Sequence, residues 1–205
     1  MPHTSQAYLV VDASPAGPAE ADLAKVLQRG RFACVLLQPG AGSGDPHLSR
    51  LVKAVQSQDV AAVIMGDPAL ALELAADGVH LVYDPDPDAA EAQFRAAREV
   101  LGADRIVGAG SGFARHNAMM LAESGADYVA FGDGPGGSAD ERLDLVGWWA
   151  EMFVVPCVAW GATNAQEARQ LAGAGADFVA AGPEGGLAAS AATLAGLFMV
   201  AEAAF

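Results

Sequence analysis

The chain has 205 residues, a formal net charge of −14 and a hydrophobic fraction of 53%. This length and composition favour one large domain with a substantial core over two small ones. The excess of acidic groups argues against nucleic acid and anionic membranes as partners, because proteins bind both through basic patches. No apolar stretch reaches the ~18 uncharged residues typical of a membrane span, and the first residues do not have the pattern of a signal peptide. We therefore expect a cytoplasmic protein.

Eight short apolar runs, bounded by Gly, Pro or Asp, follow one another along the chain and are typical of buried parallel strands. They span residues 7–12, 34–39, 61–66, 78–83, 105–110, 128–132, 157–161 and 178–182. The segments between them have helical periodicity, clearest at 18–30, 45–59, 68–76, 87–102 and 164–175. Four glycines stand where helix ends favour a left-handed residue, namely Gly30, Gly102, Gly125 and Gly175. The alternation predicts parallel strands joined by right-handed crossovers.

A repeated Ala-Asp-x-Val phrase indicates how many strand–helix units there are. Its aspartates, Asp77, Asp127 and Asp177, are 50 residues apart, which is two units of about 25 residues each. Eight such units use nearly the whole chain, so we predict a TIM (β/α)8 barrel forming a single domain over residues 1–205. An open, doubly wound sheet is the alternative. The aspartates precede strands, away from the site-bearing end, so we expect them to support turns by side-chain hydrogen bonds.

Polar residues follow the strands at the end where such barrels carry their sites. They are Asp12, Gln38, Asp67, Tyr83, Asp84, Asp86, Ser111, Asp133, Trp160, Thr163 and Glu184. Carboxylates on one rim are suited to Mg²⁺, and Asp67, Asp84 and Asp86 are the candidate ligands. Each is equally compatible with a solvated loop residue or a helix N-cap, and Thr163 is a candidate cap of the seventh helix. His80 lies within a strand, where a packed core histidine is the simpler interpretation.

The last two loops, 161–164 and 182–190, are rich in glycine. Barrels often bind phosphate there on backbone N–H groups, so Gly161, Thr163, Gly182 and Gly185 are candidate binding residues. A plain turn before the last helix is the alternative, and Glu184 would oppose a phosphate. Just before the first loop, Trp160 is suited to stacking on a heterocycle.

Cations are scarce near the predicted rim. The only lysines, Lys25 and Lys53, fall in helices, and most arginines fall in helices or at strand starts on the far face. Arg115 and Arg142 are the two placed to reach the site, with Arg50 a weaker candidate. Enzymes that transfer phosphoryl or diphosphate groups stabilise the developing charge with Lys, Arg and metal ions, so this rim lacks an expected component.

The segments 67–83, 102–111, 121–132 and 155–182 resemble the thiamine phosphate synthase family and the related thiazole tautomerases. The resemblance covers almost the whole chain and implies the same barrel. It implies a transferase of thiamine biosynthesis that joins hydroxymethylpyrimidine diphosphate to thiazole phosphate, with Mg²⁺ and release of pyrophosphate. The tautomerase activity lacks support, because no histidine lies clearly at a strand exit.

Some family motifs persist at the positions that bind the heterocycle and the metal. Gln38 matches the glutamine after strand two, and Asp67 matches the metal-binding aspartate after strand three. The position expected for the family's second metal-binding aspartate has an acidic residue on either side of it in this chain, Asp84 and Asp86. The serine after strand five falls on Gly110, with Ser111 beside it.

The anion-binding motifs are mostly replaced. The Arg and Lys of the motif after strand two fall on Gly40 and Gly42, and the Thr-x-Thr-Lys loop after strand six becomes 133–140, which has no cation. The paired glycines after strand seven become Gly161-Ala162, and the serine after strand eight falls on Pro183. Losing one charged contact costs about 1.5–3 kcal/mol, so losing four should severely impair the family reaction.

Two hypotheses follow. The first is a thiamine phosphate synthase-like enzyme, with reduced or altered activity. The second is a non-catalytic or repurposed barrel that binds a small heterocycle or phosphate ester, or acts as a regulatory or interaction partner.

A homo-oligomer is possible, with Trp148, Trp149 and Phe153 as a candidate interface or outer core. We expect Cys34 and Cys157 to be buried free thiols, with a redox pair as the alternative.

Overall fold

The computed structural model describes residues 4–40 and 46–198. Its eight parallel strands close into a barrel in chain order, which confirms the predicted TIM architecture and excludes the open sheet. The strands are β1 Gln6–Asp12, β2 Phe32–Gln38, β3 Ala61–Met65, β4 Gly78–Leu81, β5 Ile106–Gly112, β6 Tyr128–Phe131, β7 Cys157–Ala159 and β8 Phe178–Ala181. The helices are α1 Glu20–Leu27, α2 Pro46–Gln56, α3 Pro68–Glu73, α4 Pro87–Leu101, α5 Arg115–Glu123, α6 Ala139–Met152, α7 Ala165–Gly173 and α8 Gly186–Phe198.

The elements lie within a few residues of their predicted bounds. Gly42, and Asp45 at the start of the predicted second helix, lie outside the described residues. In the part of the chain that the structure describes, no helix is both long enough and apolar enough to cross a membrane.

The repeated aspartates link neighbouring strands at the amino-terminal end of the barrel. Asp77 Oδ2 accepts a hydrogen bond from the N–H of Ala62, near the start of β3, at 2.7 Å. Asp127 Oδ2 accepts one from the N–H of Val107, near the start of β5, also at 2.7 Å. Asp177 does the same for the N–H of the first residue of β7, at 2.8 Å. Their structural role is confirmed, and in each case the carboxylate bonds the neighbouring strand. It therefore fixes the register of β3, β5 and β7.

Helix ends follow local sequence with two exceptions. Gly102, Gly125 and Gly175 have positive φ as predicted, whereas Gly30 is absent from the left-handed residues. The prediction for Gly30 is wrong because packing is the constraint there: a side chain would overlap the ring of Phe198.

The predicted cap of α7 is also wrong. Asn164 is the N-cap, and its side chain accepts from the N–H groups of Gln166 and Glu167. Thr163, one residue earlier, uses its hydroxyl and its N–H to bond Glu167.

Apolar side chains pack on both faces of the strands, outside and inside the barrel. The larger cluster fills the space between barrel and helices. The smaller cluster fills the barrel interior and includes Tyr8, Leu36, Val63 and Tyr128, with Trp160 packed against it. Cys34 and Cys157 are buried free thiols, as expected. Because the interior is filled by side chains, any ligand site must lie on the rim.

Candidate active site

A cavity of about 600 Å³ opens at the carboxyl end of the barrel, where β1, β2 and the loop before α8 meet. Its polar side chains are those of Asp12, Gln38 and Glu184, and the rest of the lining is mainly backbone and apolar side chains. Asp12 Oδ1 accepts from the N–H of Ser14 at 2.9 Å. The cavity is thus large enough for a small ligand and carries two carboxylates.

The predicted binding residues divide between this cavity and other places. Gln38 lines the cavity, and its Nε2 lies 3.5 Å from Met65 Sδ. Ser111 does not: it is fully buried, and its hydroxyl donates to the carbonyl of Ala130 at 2.7 Å. That hydroxyl is committed to joining β5 to β6.

The cavity is bordered by Pro183 and Glu184 of the loop after β8 and by Gly186 and Leu187 at the start of α8, whereas the predicted binding residues Gly182 and Gly185 are absent from its lining. Gly182 and Gly185 have positive φ, and the Gly182–Pro183 bond is cis. A side chain at Gly182 would overlap the carbonyl of Val10, so this glycine allows the loop to lie against β1. The first residue of α8 lies on the cavity wall, but Glu184 in the same loop opposes an anion there.

The loop after β7 lies apart from the cavity. Trp160, Gly161 and Thr163 are absent from its lining. Gly161 has a φ of 76°. Trp160 packs over the barrel interior, with its ring 5.1 Å from the ring of His80 at an interplanar angle of 19°.

The three predicted metal ligands are engaged in local structure. Asp67 Oδ1 accepts from Leu70 N at 2.9 Å and caps α3, as expected. Asp86 caps α4 in the same way. Both oxygens of Asp84 accept hydrogen bonds, one from Asp86 N and one from Gln93 Nε2. Among the described residues, no three His, Cys, Asp or Glu side chains are grouped to hold a metal. Mg²⁺ is often held by only one or two carboxylates together with substrate phosphates, so these three aspartates stay candidate ligands.

The two arginines expected to reach the rim serve other partners. The guanidinium of Arg115 lies over the ring of Trp148, 4.6 Å from its centroid. Arg142 donates to the carbonyl of Trp160 at 2.7 Å and is paired with Glu167. The Arg142 side chain is only 12% exposed, so its charge is neutralised inside the protein.

Sequence reasoning missed a buried polar chain inside the barrel. The hydroxyls of Tyr8 and Tyr128 are 2.8 Å apart, and Tyr128 Oη lies 3.0 Å from His80 Nδ1. His80 Nε2 lies 3.8 Å from Asp133 Oδ2. Burial raises the pKa of both tyrosines well above the usual value, so both stay protonated. His80 is buried, as expected, but its partners are polar.

Two glycines of β5 are the feature of the sequence that could have indicated these buried polar groups. A side chain at Gly108 would overlap the ring of Tyr128, and one at Gly110 would overlap the carboxylate of Asp133. Alternate residues of a strand face the same side, and two such glycines on the inner face leave room for large partners. The sequence shows the vacant positions but does not show which side chains fill them.

Comparisons with known proteins identify the family of this chain. The family model described as thiamine monophosphate synthase matches residues 7–183. A thiamine-phosphate synthase of Rhodospirillum centenum is 40% identical over 167 residues, 77% of this chain and 77% of the relative. One of Erythrobacter litoralis is 35% identical over 188 residues, 86% of this chain and 85% of the relative.

Among solved structures, the thiamine phosphate pyrophosphorylase of Pyrococcus furiosus matches with a TM-score of 0.75. The match covers 98% of this chain and 97% of that one, at 20% identity, and so supports the fold alone. The family model and the curated relatives carry the assignment: the chain belongs to the thiamine monophosphate synthase family.

Proposed function

We propose that this chain is a thiamine phosphate synthase-like barrel that binds a small heterocyclic ligand or its phosphate ester but carries out the synthase reaction poorly. The relatives support the general function. The proposal adds that the rim has lost the charges needed to hold and activate a diphosphate.

One observation carries the proposal. All eleven lysines and arginines of the chain fall within the described residues 4–40 and 46–198, and none of them lines the cavity. The side chains that do carry charge there, Asp12 and Glu184, are acidic. A diphosphate entering this cavity would meet two like charges and no cation, whereas phosphoryl-transfer sites place cations where negative charge develops.

Arg142, which the sequence placed near the rim, is held by its own partners. Arg142 is paired with Glu167, which also accepts from the N–H and hydroxyl of Thr163. Releasing this guanidinium would leave a largely buried carboxylate without its counter-charge, which is costly. Arg142 therefore acts as a brace of the loop after β7.

Features that suit a neutral or weakly charged ligand persist. Gln38 presents an amide that can donate and accept hydrogen bonds, as a heterocycle with ring nitrogens requires. The cavity walls contributed by Val10, Val11 and Leu187 are apolar. Asp67, Asp84 and Asp86 stay the candidate ligands for a Mg²⁺ ion that would accompany a phosphorylated substrate.

The proposal is tested by two measurements on the whole chain. The first is an assay with hydroxymethylpyrimidine diphosphate, thiazole phosphate and Mg²⁺, with the Rhodospirillum centenum relative as positive control. The second is a calorimetric titration with thiamine phosphate. We expect turnover far below the control and heat of binding that disappears in Gln38→Ala but not in Gln166→Ala, an exposed glutamine of α7. Turnover equal to the control would overturn the impairment, and no heat in the wild type would overturn the ligand.

A further test of the proposal changes an acidic side chain of the cavity. Glu184→Gln removes one negative charge from the cavity, and a charge a few ångströms from a phosphate is worth about 1 kcal/mol in a water-like environment. Affinity for thiamine phosphate should therefore rise about fivefold. Glu151→Gln, an exposed change on α6, makes the same net charge change and should leave the affinity unaltered. Equal affinities in both variants would place the ligand elsewhere.

A further inference from the structure

The segments that line the cavity at β1, β2 and α8 carry little positive charge. They are residues 6–27, 32–40 and 178–198. Together they contain four carboxylates and one lysine. That lysine, Lys25, bonds Asp22 at 3.0 Å, and both side chains are exposed on α1. A second carboxylate, Glu20, is paired with Arg50 of α2. The lysine and the neighbouring arginine therefore already have acidic partners.

The two remaining carboxylates, those of Asp12 and Glu184, line the cavity itself. Neither of them forms a salt bridge within residues 4–40 and 46–198. Asp12 Oδ1 accepts a hydrogen bond from the N–H of Ser14 at 2.9 Å, which orients the carboxylate but does not neutralise it. A ligand in the cavity therefore lies beside negative charge that no ion pair compensates.

The amino-terminal end of α8 gives the cavity wall some positive character. This helix has 13 residues, and its first residue, Gly186, belongs to the lining. The aligned peptide dipoles of a helix place roughly half a positive charge at this end. Asp12 and Glu184 each carry a full negative charge and together outweigh it. The field in the cavity thus favours a cation over an anion.

The rest of the lining suits the ring of a heterocycle. Val10, Val11 and Leu187 contribute apolar side chains, and Gln38 contributes an amide that can donate and accept hydrogen bonds. A bare inorganic cation would gain nothing from the apolar walls, whereas an aromatic ring that carries its own positive charge would use both the walls and the carboxylates. A phosphate on the same ring would bring negative charge into a cavity that does not neutralise it.

We propose that this cavity selects a positively charged heterocycle that carries no phosphate, and that it disfavours the phosphate ester of the same heterocycle. The proposal rests on the proposed heterocycle-binding function and adds the charge of the ligand. Thiamine is a suitable probe, because its thiazolium ring bears a permanent positive charge and thiamine phosphate differs from it only by the phosphate group.

The test is a calorimetric titration of the whole chain with thiamine and with thiamine phosphate, both without Mg²⁺. We expect the wild type to bind thiamine at least about fivefold more tightly, the effect of one unit charge a few ångströms away in a water-like environment. Glu184→Gln should weaken thiamine binding by about fivefold and strengthen thiamine phosphate binding by a similar factor. Asp12→Asn, which keeps an acceptor for Ser14, should shift both affinities in the same directions as Glu184→Gln.

Glu151→Gln on the exposed face of α6 is the matched control, since it makes the same net charge change and should leave both affinities unaltered. Opposite shifts for the two ligands cannot come from a damaged cavity, because damage would weaken both. Thiamine affinity of the wild type should also fall as salt is raised, since ions screen the two exposed carboxylates.

Two results would overturn the charge preference while leaving heterocycle binding intact. One is tighter binding of thiamine phosphate than of thiamine by the wild type, and the other is a Glu184→Gln change that shifts both affinities in one direction. No heat with either ligand would contradict the heterocycle-binding function as well. Repeating the titrations with Mg²⁺ separates a further case: if Asp12 and Glu184 hold Mg²⁺ for a phosphate, the ion would make thiamine phosphate the tighter ligand in the wild type but not in Glu184→Gln, and the proposal would be wrong.

Discussion

Replacing Glu167 by glutamine should destabilise the barrel through one buried ion pair. Glu167 is paired with Arg142 and accepts from the N–H of Thr163 at 2.9 Å and its hydroxyl at 2.7 Å. The side chains of the ion pair are only 12% and 18% exposed. Glutamine keeps a carbonyl for Thr163 but cannot neutralise the guanidinium, which stays largely buried.

The size of the effect follows from these contacts. Removing one partner of a fully buried pair costs about 3–5 kcal/mol, and a hydrogen bond to a charged group is worth about 1.5–3 kcal/mol. Some solvent reaches this pair and Thr163 keeps an acceptor, so we expect Glu167→Gln to lower the free energy of unfolding by about 2 kcal/mol. For a chain of this size that is a fall in Tm of roughly 4–8 °C.

The assay is thermal unfolding followed by far-ultraviolet circular dichroism. Glu151→Gln on the exposed face of α6 is the control and should change Tm by less than about 2 °C. A cycle that adds Arg142→Met should recover part of the loss, because the uncompensated charge is then absent. Equal Tm values for Glu167→Gln and Glu151→Gln would refute the view that Arg142 is a buried structural brace.

Three further predictions concern the fold. Asp127→Ala removes the acceptor of the Val107 N–H and should cost about 1–2 kcal/mol in urea unfolding, whereas Asp127→Asn, which retains an acceptor, should cost less. Gly108→Ala forces a methyl group into the ring of Tyr128 and should cost about 3 kcal/mol or prevent folding; a wild-type urea midpoint would show that the ring can move aside. Burial raises the pKa of the Cys157 thiol to about 12, while an unfolded thiol loses its proton near pH 8.5. The folded state thus holds more protons above that pH, and its stability should fall as the pH rises from about 9 towards 12, with a smaller fall in Cys157→Ala.

The architecture was predictable because its signals are local and periodic. The Ala-Asp-x-Val repeat places the starts of β4, β6 and β8, and each aspartate has one dominant physical use, which is to bond the N–H at the start of the neighbouring strand. Asp67 before Pro68 predicts a helix N-cap from residue type alone. Gly30 shows the limit of such reasoning, since its requirement comes from the ring of Phe198 far away in the sequence.

The site was less predictable because it depends on which side chains share space. Ser111 follows the expected strand, yet its hydroxyl points to the carbonyl of Ala130, since β5 ends two residues later than the sequence suggests. Asp133 appeared only as one acidic residue at a strand exit. Its burial against His80 depends on the missing side chain at Gly110, a coincidence between β5 and the loop after β6 that no local pattern encodes. In contrast, the shortage of lysine and arginine near the rim could be predicted from the sequence alone, because it follows from where these few residues fall along the chain.

The central claim is that the rim lacks the charges of a working synthase, and turnover tests it most directly. The rate is measured over a range of hydroxymethylpyrimidine diphosphate concentrations, with saturating thiazole phosphate and Mg²⁺, and the Rhodospirillum centenum relative serves as the reference. The loss of several charged contacts, each worth about 1.5 kcal/mol or more, predicts kcat/KM at least about a thousandfold below that reference. A value within tenfold of the reference would show that an acidic rim without lysine or arginine suffices for the reaction, and would contradict the account.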